Sequence, residues 1–225
     1  MHIAEGLLDL TVLVPLWIVT IAYGVITVIK SRKTITEKQL PIIAVVTAMV
    51  FAFQMLNFPI LAGTSGHLLG FILMAILVSP SSSFLMISVV LIIQAFTFAD
   101  GGIIALGGNI FNMGIATLPG YFVYWIIRKK LPQKSAEGGK FDRGLIIGAF
   151  SGAYVSLIVA SIICGIEIGI STGFPYGVEF TIPAMLGYHA LIGIGEGLIT
   201  MMVILFFYKY APEYIPTMEE TPIWS

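Results

Sequence analysis

The amino-terminal residues Met1-His2-Ile3 carry the most specific chemistry in the chain. A free α-amine followed by histidine is a nitrogen chelator. The Met1 amine, the His2 backbone nitrogen and the His2 imidazole can bind one metal ion together. Amine and amide close a five-membered ring, and amide and Nδ1 close a six-membered one. Three nitrogens held in a plane favour a square-planar ion, Ni(II) or Cu(II). The chain has only three histidines, His2, His67 and His189, so one of the other two can complete the plane. Such a site needs a neutral amine, a neutral imidazole and loss of the His2 amide proton, so affinity rises with pH. With an amine titrating near ~7.7–8.0 and histidine near ~6.5, much of that rise falls between about pH 6 and 8.

The next candidate stands in Gly63-Thr64-Ser65-Gly66-His67-Leu68-Leu69-Gly70. The glycines allow close backbone approach, and Thr64 or Ser65 is suited to cap a helix starting there. The plain reading is a capped turn whose histidine faces polar backbone. In so apolar a chain an ionisable residue is a functional candidate, which makes His67 the fourth nitrogen donor. The same letters allow a second chemistry. Gly63-Thr64-Ser65-Gly66 has the Gly-x-Ser-Gly form of rhomboid-type intramembrane serine proteases, with His189 as the base for Ser65. That alternative leaves Met1-His2 without a role.

Amides are dense between Gln94 and Asn112, on either side of Asp100-Gly101-Gly102. Ser65, Gln94, Asp100, Asn109 and His189 are candidates to orient metal ligands, and Asn112 is suited to the same task. Ordinary hydrogen bonding between helices is the plainer role for any single one. His189 and Glu196 lie seven apart, on one helix face.

The elements that must hold these residues are membrane helices. The chain has 225 residues, 58% hydrophobic and 10% charged, with mean hydropathy +1.00. Soluble domains carry about 25% charged residues. Only helices and closed barrels satisfy their backbone in lipid, and the alternating segments of a barrel are missing. One cysteine, Cys164, excludes an internal disulfide and a thiolate cluster. No phosphate-binding lysine loop or nucleotide fingerprint occurs, so neither ATP hydrolysis, a bound cofactor nor a nucleic-acid partner is expected.

The expected fold is an all-α integral membrane protein, a seven-transmembrane-helix bundle forming a single domain over residues 1–225. Its apolar segments are 10–29, 41–57, 67–79, 83–99, 108–128, 143–171 and 181–208. The third spans roughly 20 Å at 1.5 Å per residue, less than the ~30 Å hydrocarbon core. A short third helix is therefore expected, preceded by an inward-dipping loop that carries His67. The first segment is not a cleaved signal, because Glu5 and Asp9 precede it and the basic residues follow.

Lys30, Arg32, Lys33 and Lys38 separate the first two segments. Arg128, Lys129, Lys130, Lys134, Lys140 and Arg143 surround the connection between the fifth and sixth, and Lys209 closes the seventh. With seven spans all 11 share one side, the cytoplasm by the positive-inside rule, which puts the amino terminus outside and the carboxyl terminus inside. The outer side keeps Glu5, Asp9, Asp100 and Glu179, a surface that attracts cations. Two stripes of small residues spaced by four, Ala44-Ala48-Ala52 and Gly144-Gly148-Gly152-Ser156-Ala160, allow close helix approach. One suits internal packing and the other a partner subunit.

Taken together, Met1-His2-Ile3 with Glu5-Gly6, the Gly63–Gly70 loop, Asp100-Gly101-Gly102, Asn109-Ile110-Phe111-Asn112-Met113-Gly114 and His189 through Glu196-Gly197 resemble the CbiM/NikM family across essentially the whole chain. These are substrate-binding membrane subunits of energy-coupling factor (ECF) transporters for nickel and cobalt. The resemblance implies a seven-helix bundle in the prokaryotic plasma membrane, with the amino terminus folded into the central cavity. It implies Met1, His2 and His67 as ligands for transported Ni(II) or Co(II). The partners it implies are a transmembrane coupling subunit, a pair of cytoplasmic ABC-type ATPases and a small accessory membrane protein. An accessory domain fused in some relatives is expected as a separate chain, because Ser225 follows the last segment closely. Ala44, Ala48 and Ala52 match the alanines through which such subunits contact the coupling subunit.

Overall fold

The computed structural model describes residues 1–61, 63–131 and 142–216, and six of its helical stretches are long and apolar enough to cross a bilayer. Helix α1 (Leu10–Thr34) ends with Arg32 and Lys33 in its last turn, where positive charge suits the helix dipole. After α2 (Leu40–Met55) come two short strands, β1 (Phe58–Ile60) and β2 (Thr64–Gly66), paired antiparallel, then helix α3 (Phe71–Leu77). Helix α4 (Pro80–Phe98) opens with proline at its first position, and the Ser79 hydroxyl accepts from the Ser82 N–H at 3.1 Å. Helix α5 (Leu106–Ile110) passes through a π-helical turn, Phe111–Ile115, towards α6 (Leu118–Lys130). Helix α7 (Arg143–Gly169) is capped by Asp142, which accepts from Leu145 N–H at 2.9 Å. Helix α8 (Val178–Tyr210) follows, and its 33 residues reach about 50 Å.

Large apolar side chains cover the outside. Val14, Ile18, Ile21 and Val25 of α1 and Leu191, Ile194, Leu198 and Met202 of α8 are exposed, a surface suited to lipid and not to water.

The third leg is shorter than its apolar letters suggest. Helix α3 has seven residues, about 10 Å, and every one is buried. Thr64 and Ser65 do not cap it: they lie in β2, and the residue before the helix is Gly70, at φ +75° with no side-chain cap. The leg still returns the chain. Asn57, just past α2, donates to Asp100, just past α4, at 2.5 Å, and Phe51 meets Phe98 edge-on. Ile35 and Ile43 share a groove with Ser82 and Leu85 near the opposite ends of those helices. Helices α2 and α4 thus run in the same sense, and the chain must reverse between them.

The two small-residue stripes lie in opposite surroundings. On α7, a Cβ at Gly152 would lie 2.8 Å from the Gly120 carbonyl of α6, and Gly148 abuts Tyr124, so this stripe is spent on internal packing. On α2, Ala44, Ala48 and Ala52 are exposed. Arg128 donates to the Tyr124 hydroxyl at 2.6 Å and to the Pro216 carbonyl at 2.8 Å, holding the segment after α8 beside α6. Lys134 and Lys140 lie outside the described residues.

Candidate metal centre

The first residues enter the bundle as an extended strand. Ile3 bridges to Thr64 of β2, and the Thr64 hydroxyl donates to the His2 carbonyl at 2.8 Å. On the other side the Asn109 side-chain amide acts as a strand partner. Its Oδ1 accepts from Ile3 N–H at 2.8 Å and its Nδ2 donates to the Ile3 carbonyl at 3.2 Å. The Gly102 N–H also donates to that carbonyl, at 2.8 Å. Asp100-Gly101-Gly102 needs its glycines for this passage. Gly101 holds φ +90°, and a Cβ on Gly102 would lie 2.8 Å from the Glu5 backbone nitrogen. Glu5 and Asp9 fasten the segment further: Glu5 accepts from Ile104 N–H, and Asp9 from the Thr172 N–H and hydroxyl. Met1, His2 and His67 are all buried as a result.

The nitrogen donors converge. The Met1 amine lies 2.5 Å from His67 Nε2, closer than an ordinary hydrogen bond between nitrogens, and the His2 and His67 rings stack at 4.4 Å. Each ring has one nitrogen committed to an oxygen. His67 Nδ1–H donates to the Leu68 carbonyl at 2.8 Å, and His2 Nε2–H donates to Gln94 Oε1 at 3.0 Å. Carbonyl oxygens only accept, so the nitrogens that keep a lone pair are His67 Nε2 and His2 Nδ1, the atoms a chelate with the terminal amine requires. Ser65 bridges two nitrogens of His2. Its hydroxyl accepts from the His2 backbone N–H and donates to His2 Nδ1, each at 3.2 Å. Asp100 Oδ1 stands 3.2 Å from His2 Nδ1, a carboxylate facing a lone pair that a cation between them would reconcile.

Burial sets the protonation. It pushes the Met1 amine from 8.0 down to about 5, and His2 down to about 3 with help from the neighbouring amine. His67 is lowered too, by burial first and the amine second, while burial raises Asp100. At neutral pH the amine and both imidazoles are unprotonated. The affinity rise expected between pH 6 and 8 from free-group values therefore moves down for these three groups, and the His2 amide is the one proton left to release near neutrality.

Among the described residues no three His, Cys, Asp or Glu side chains gather as a conventional metal site. The candidate donors are terminal and backbone nitrogens plus two imidazoles, so side-chain spacing alone does not reveal them. Ser65, Gln94, Asp100 and Asn109 lie around the amino terminus. Among the described residues His189 makes no hydrogen bond to a donor: its Nδ1 pairs with the Met185 carbonyl at 2.7 Å. Asn112 meets Glu167 at 2.6 Å. Glu196 pairs not with His189 but with the Leu69 and Gly70 N–H groups, at 2.8 and 2.7 Å. Ser65 is engaged by His2, and among the described residues no hydrogen bond joins it to His189, so the serine-protease reading has no dyad to stand on.

Fold and site together define a multi-pass membrane protein, and the comparisons make it a transporter and not an enzyme. Residues 2–214 match the family described as CbiM, cobalt uptake substrate-specific transmembrane region, and the chain belongs to that family. It is 40% identical over 216 residues to a protein of Archaeoglobus fulgidus assigned as a fused nickel transport protein, NikMN, covering 96% of this chain and 68% of that one. It is 31% identical to the cobalt transport protein CbiM of Thermosipho melanesiensis, covering 93% and 87%. The crystal structure of a truncated transition metal transporter superposes with TM-score 0.83 at 30% identity, over 93% of this chain and 99% of that one.

Proposed function

We propose that this chain captures Ni(II) or Co(II) at the outer face of a prokaryotic plasma membrane, as the substrate-binding subunit of an ATP-driven ECF transporter. The Met1 amine, the deprotonated His2 amide, His2 Nδ1 and His67 Nε2 form a planar set of four nitrogens. One observation carries the reading: the terminal amine meets His67 Nε2 at 2.5 Å while the far nitrogen of each imidazole is tied to an oxygen. Loss of the amide proton selects against Zn(II), Mg(II) and Ca(II), which rarely displace it. Ser65, Gln94 and Asn109 orient the ligands, and the Asp100 carboxylate offsets the ion's charge.

The single domain, residues 1–225, lies with its amino terminus outside. The positive-inside rule supports this, because Arg32 and Lys33, Arg128–Lys130 and Lys209 stand in the last turns of α1, α6 and α8, while Met1 precedes the first turn of α1. A coupling subunit docks on Ala44, Ala48 and Ala52, two ATPases drive it, and a small membrane protein assists. Metal titration of protein with its native amino terminus, beside a version with glycine inserted between Met1 and His2, tests the reading. Tight stoichiometric Ni(II) binding with a yellow square-planar absorption band, lost on insertion, is the expected result. Equal binding by both proteins contradicts it.

A further inference from the structure

Helix α2 presents two stripes, each spaced by four residues. Ala44, Ala48 and Ala52 are exposed, and Ala44 and Ala48 line an apolar groove of about 690 Å³ against α4. Ile42, Val46, Val50 and Gln54 are buried. The stripes are offset by two residues, about 200° around the helix, and so lie on opposite faces.

The buried stripe ends on the metal-binding loop. Gln54 donates its amide hydrogen to the Leu69 carbonyl at 2.8 Å, two residues beyond His67. Val50 presses on the next residue: a Cβ at Gly70 would lie 2.5 Å from a Val50 methyl, and Gly70 holds φ +75°. From the other side Glu196 of α8 accepts from the Leu69 and Gly70 N–H groups. The segment that carries His67 is thus gripped by two helices, α8 through two hydrogen bonds and α2 through one. Gln54 is fully buried and its Oε1 has no hydrogen-bond partner among the described residues, so this amide is kept in the interior at the expense of an unmet acceptor.

We propose that Gln54 is a positioning residue that couples the outward-facing helix to the metal loop. When a partner seated along the alanine stripe displaces α2, Gln54 draws the Leu69 carbonyl with it and swings His67 away from the Met1 amine. The two bonds from Glu196 form the pivot. This rests on the proposed metal site and names the device that opens it, a two-state element biased from a distant face.

Gln54→Met tests the inference, with Gln54→Leu as a second variant and thermal unfolding of both to verify folding. Two quantities are read with native amino termini: Ni(II) titration of the purified subunit, and nickel uptake by vesicles carrying the assembled transporter. The expected result is binding within about threefold of the parent with the same absorption band, and uptake lower by about tenfold or more. Unchanged uptake overturns the inference. So does a parallel fall in binding and uptake in both variants, which a merely structural glutamine would produce. If the unsubstituted subunit binds no Ni(II), the metal-site reading itself fails, an outcome separate from either.

Discussion

The loop that carries His67 and the stretch of α8 that carries His189 hold similar imidazoles. Both are buried, and both pair Nδ1 with a backbone carbonyl, at 2.8 and 2.7 Å. At His67 the remaining nitrogen meets an amine; at His189 it has no hydrogen-bond partner among the described residues. The difference is in the neighbouring backbone. His189 sits in the middle of a 33-residue helix whose N–H and C=O groups are committed to one another. His67 sits just past a two-stranded ribbon, where an extended amino terminus can lie alongside and bring an amine and an amide nitrogen held by a side-chain hydroxyl in place of a helix carbonyl. Burial and an oriented lone pair are common to both. A site built on backbone nitrogen also needs uncommitted backbone.

The sharpest way to break this comparison is to remove each imidazole in turn. His67→Ala deletes one of the proposed donors and is expected to weaken Ni(II) binding by about 100-fold or more, on the scale of metal-ligand losses. His189→Ala is expected to change it by less than about threefold. Calorimetric titration of both variants measures the contrast, and equal losses would erase the distinction between the two regions.

A smaller effect is expected one layer out. Gln94→Leu removes the acceptor that keeps the proton on His2 Nε2, so either tautomer becomes available and affinity falls by about 10- to 100-fold. The same substitution leaves His189 with the same carbonyl partner. A competition titration against a nickel chelator reads the loss, and an unchanged constant would remove Gln94 from the account.

Per unit of change, the smallest effects are those of pH. With the amine near 5 and both imidazoles lowered, only the amide proton is released above about pH 6, so affinity should climb about tenfold per pH unit between 6 and 8. A slope near two would mean that the amine still holds its proton. The metal-free protein gives the converse. An undocked amine titrates near 8.0 and a docked one near 5, so the undocked state binds more protons and docking is favoured as pH rises through that interval. At pH 7 keeping the docked amine neutral costs about 1 kcal/mol. Labelling of the terminal amine by an amine-reactive probe should therefore increase, after correction for intrinsic reactivity, as pH falls from 8 towards 5.

Much of the site is legible from letters alone, because its chemistry is local. Met1-His2 is a chelator through its free α-amine, and His67 is conspicuous in an apolar chain. The amides at Gln94 and Asn109 are unusual enough in a membrane segment to mark them, though nothing in their spacing foretells that Asn109 stands in for a β-strand beside Ile3. What escapes the letters is long-range. Glu196 holds the loop at Leu69 and Gly70 from another helix, while its seven-residue spacing from His189 suggests a different partner. The Gly63–Gly70 run reads as a capped helix start but folds as strand β2 and a left-handed glycine, because Ile3 offers Thr64 a pairing partner. The alanine and glycine stripes are alike in period. Only packing separates them, Gly148 and Gly152 against α6 and the alanines of α2 outward.

The most direct test of the central claim is X-ray absorption at the nickel edge on protein that retains its native amino terminus. The account predicts the pre-edge feature of square-planar Ni(II) and a first shell of four nitrogens, with no sulfur. A six-coordinate shell rich in oxygen, or a sulfur from Met1 or Cys164, would contradict it.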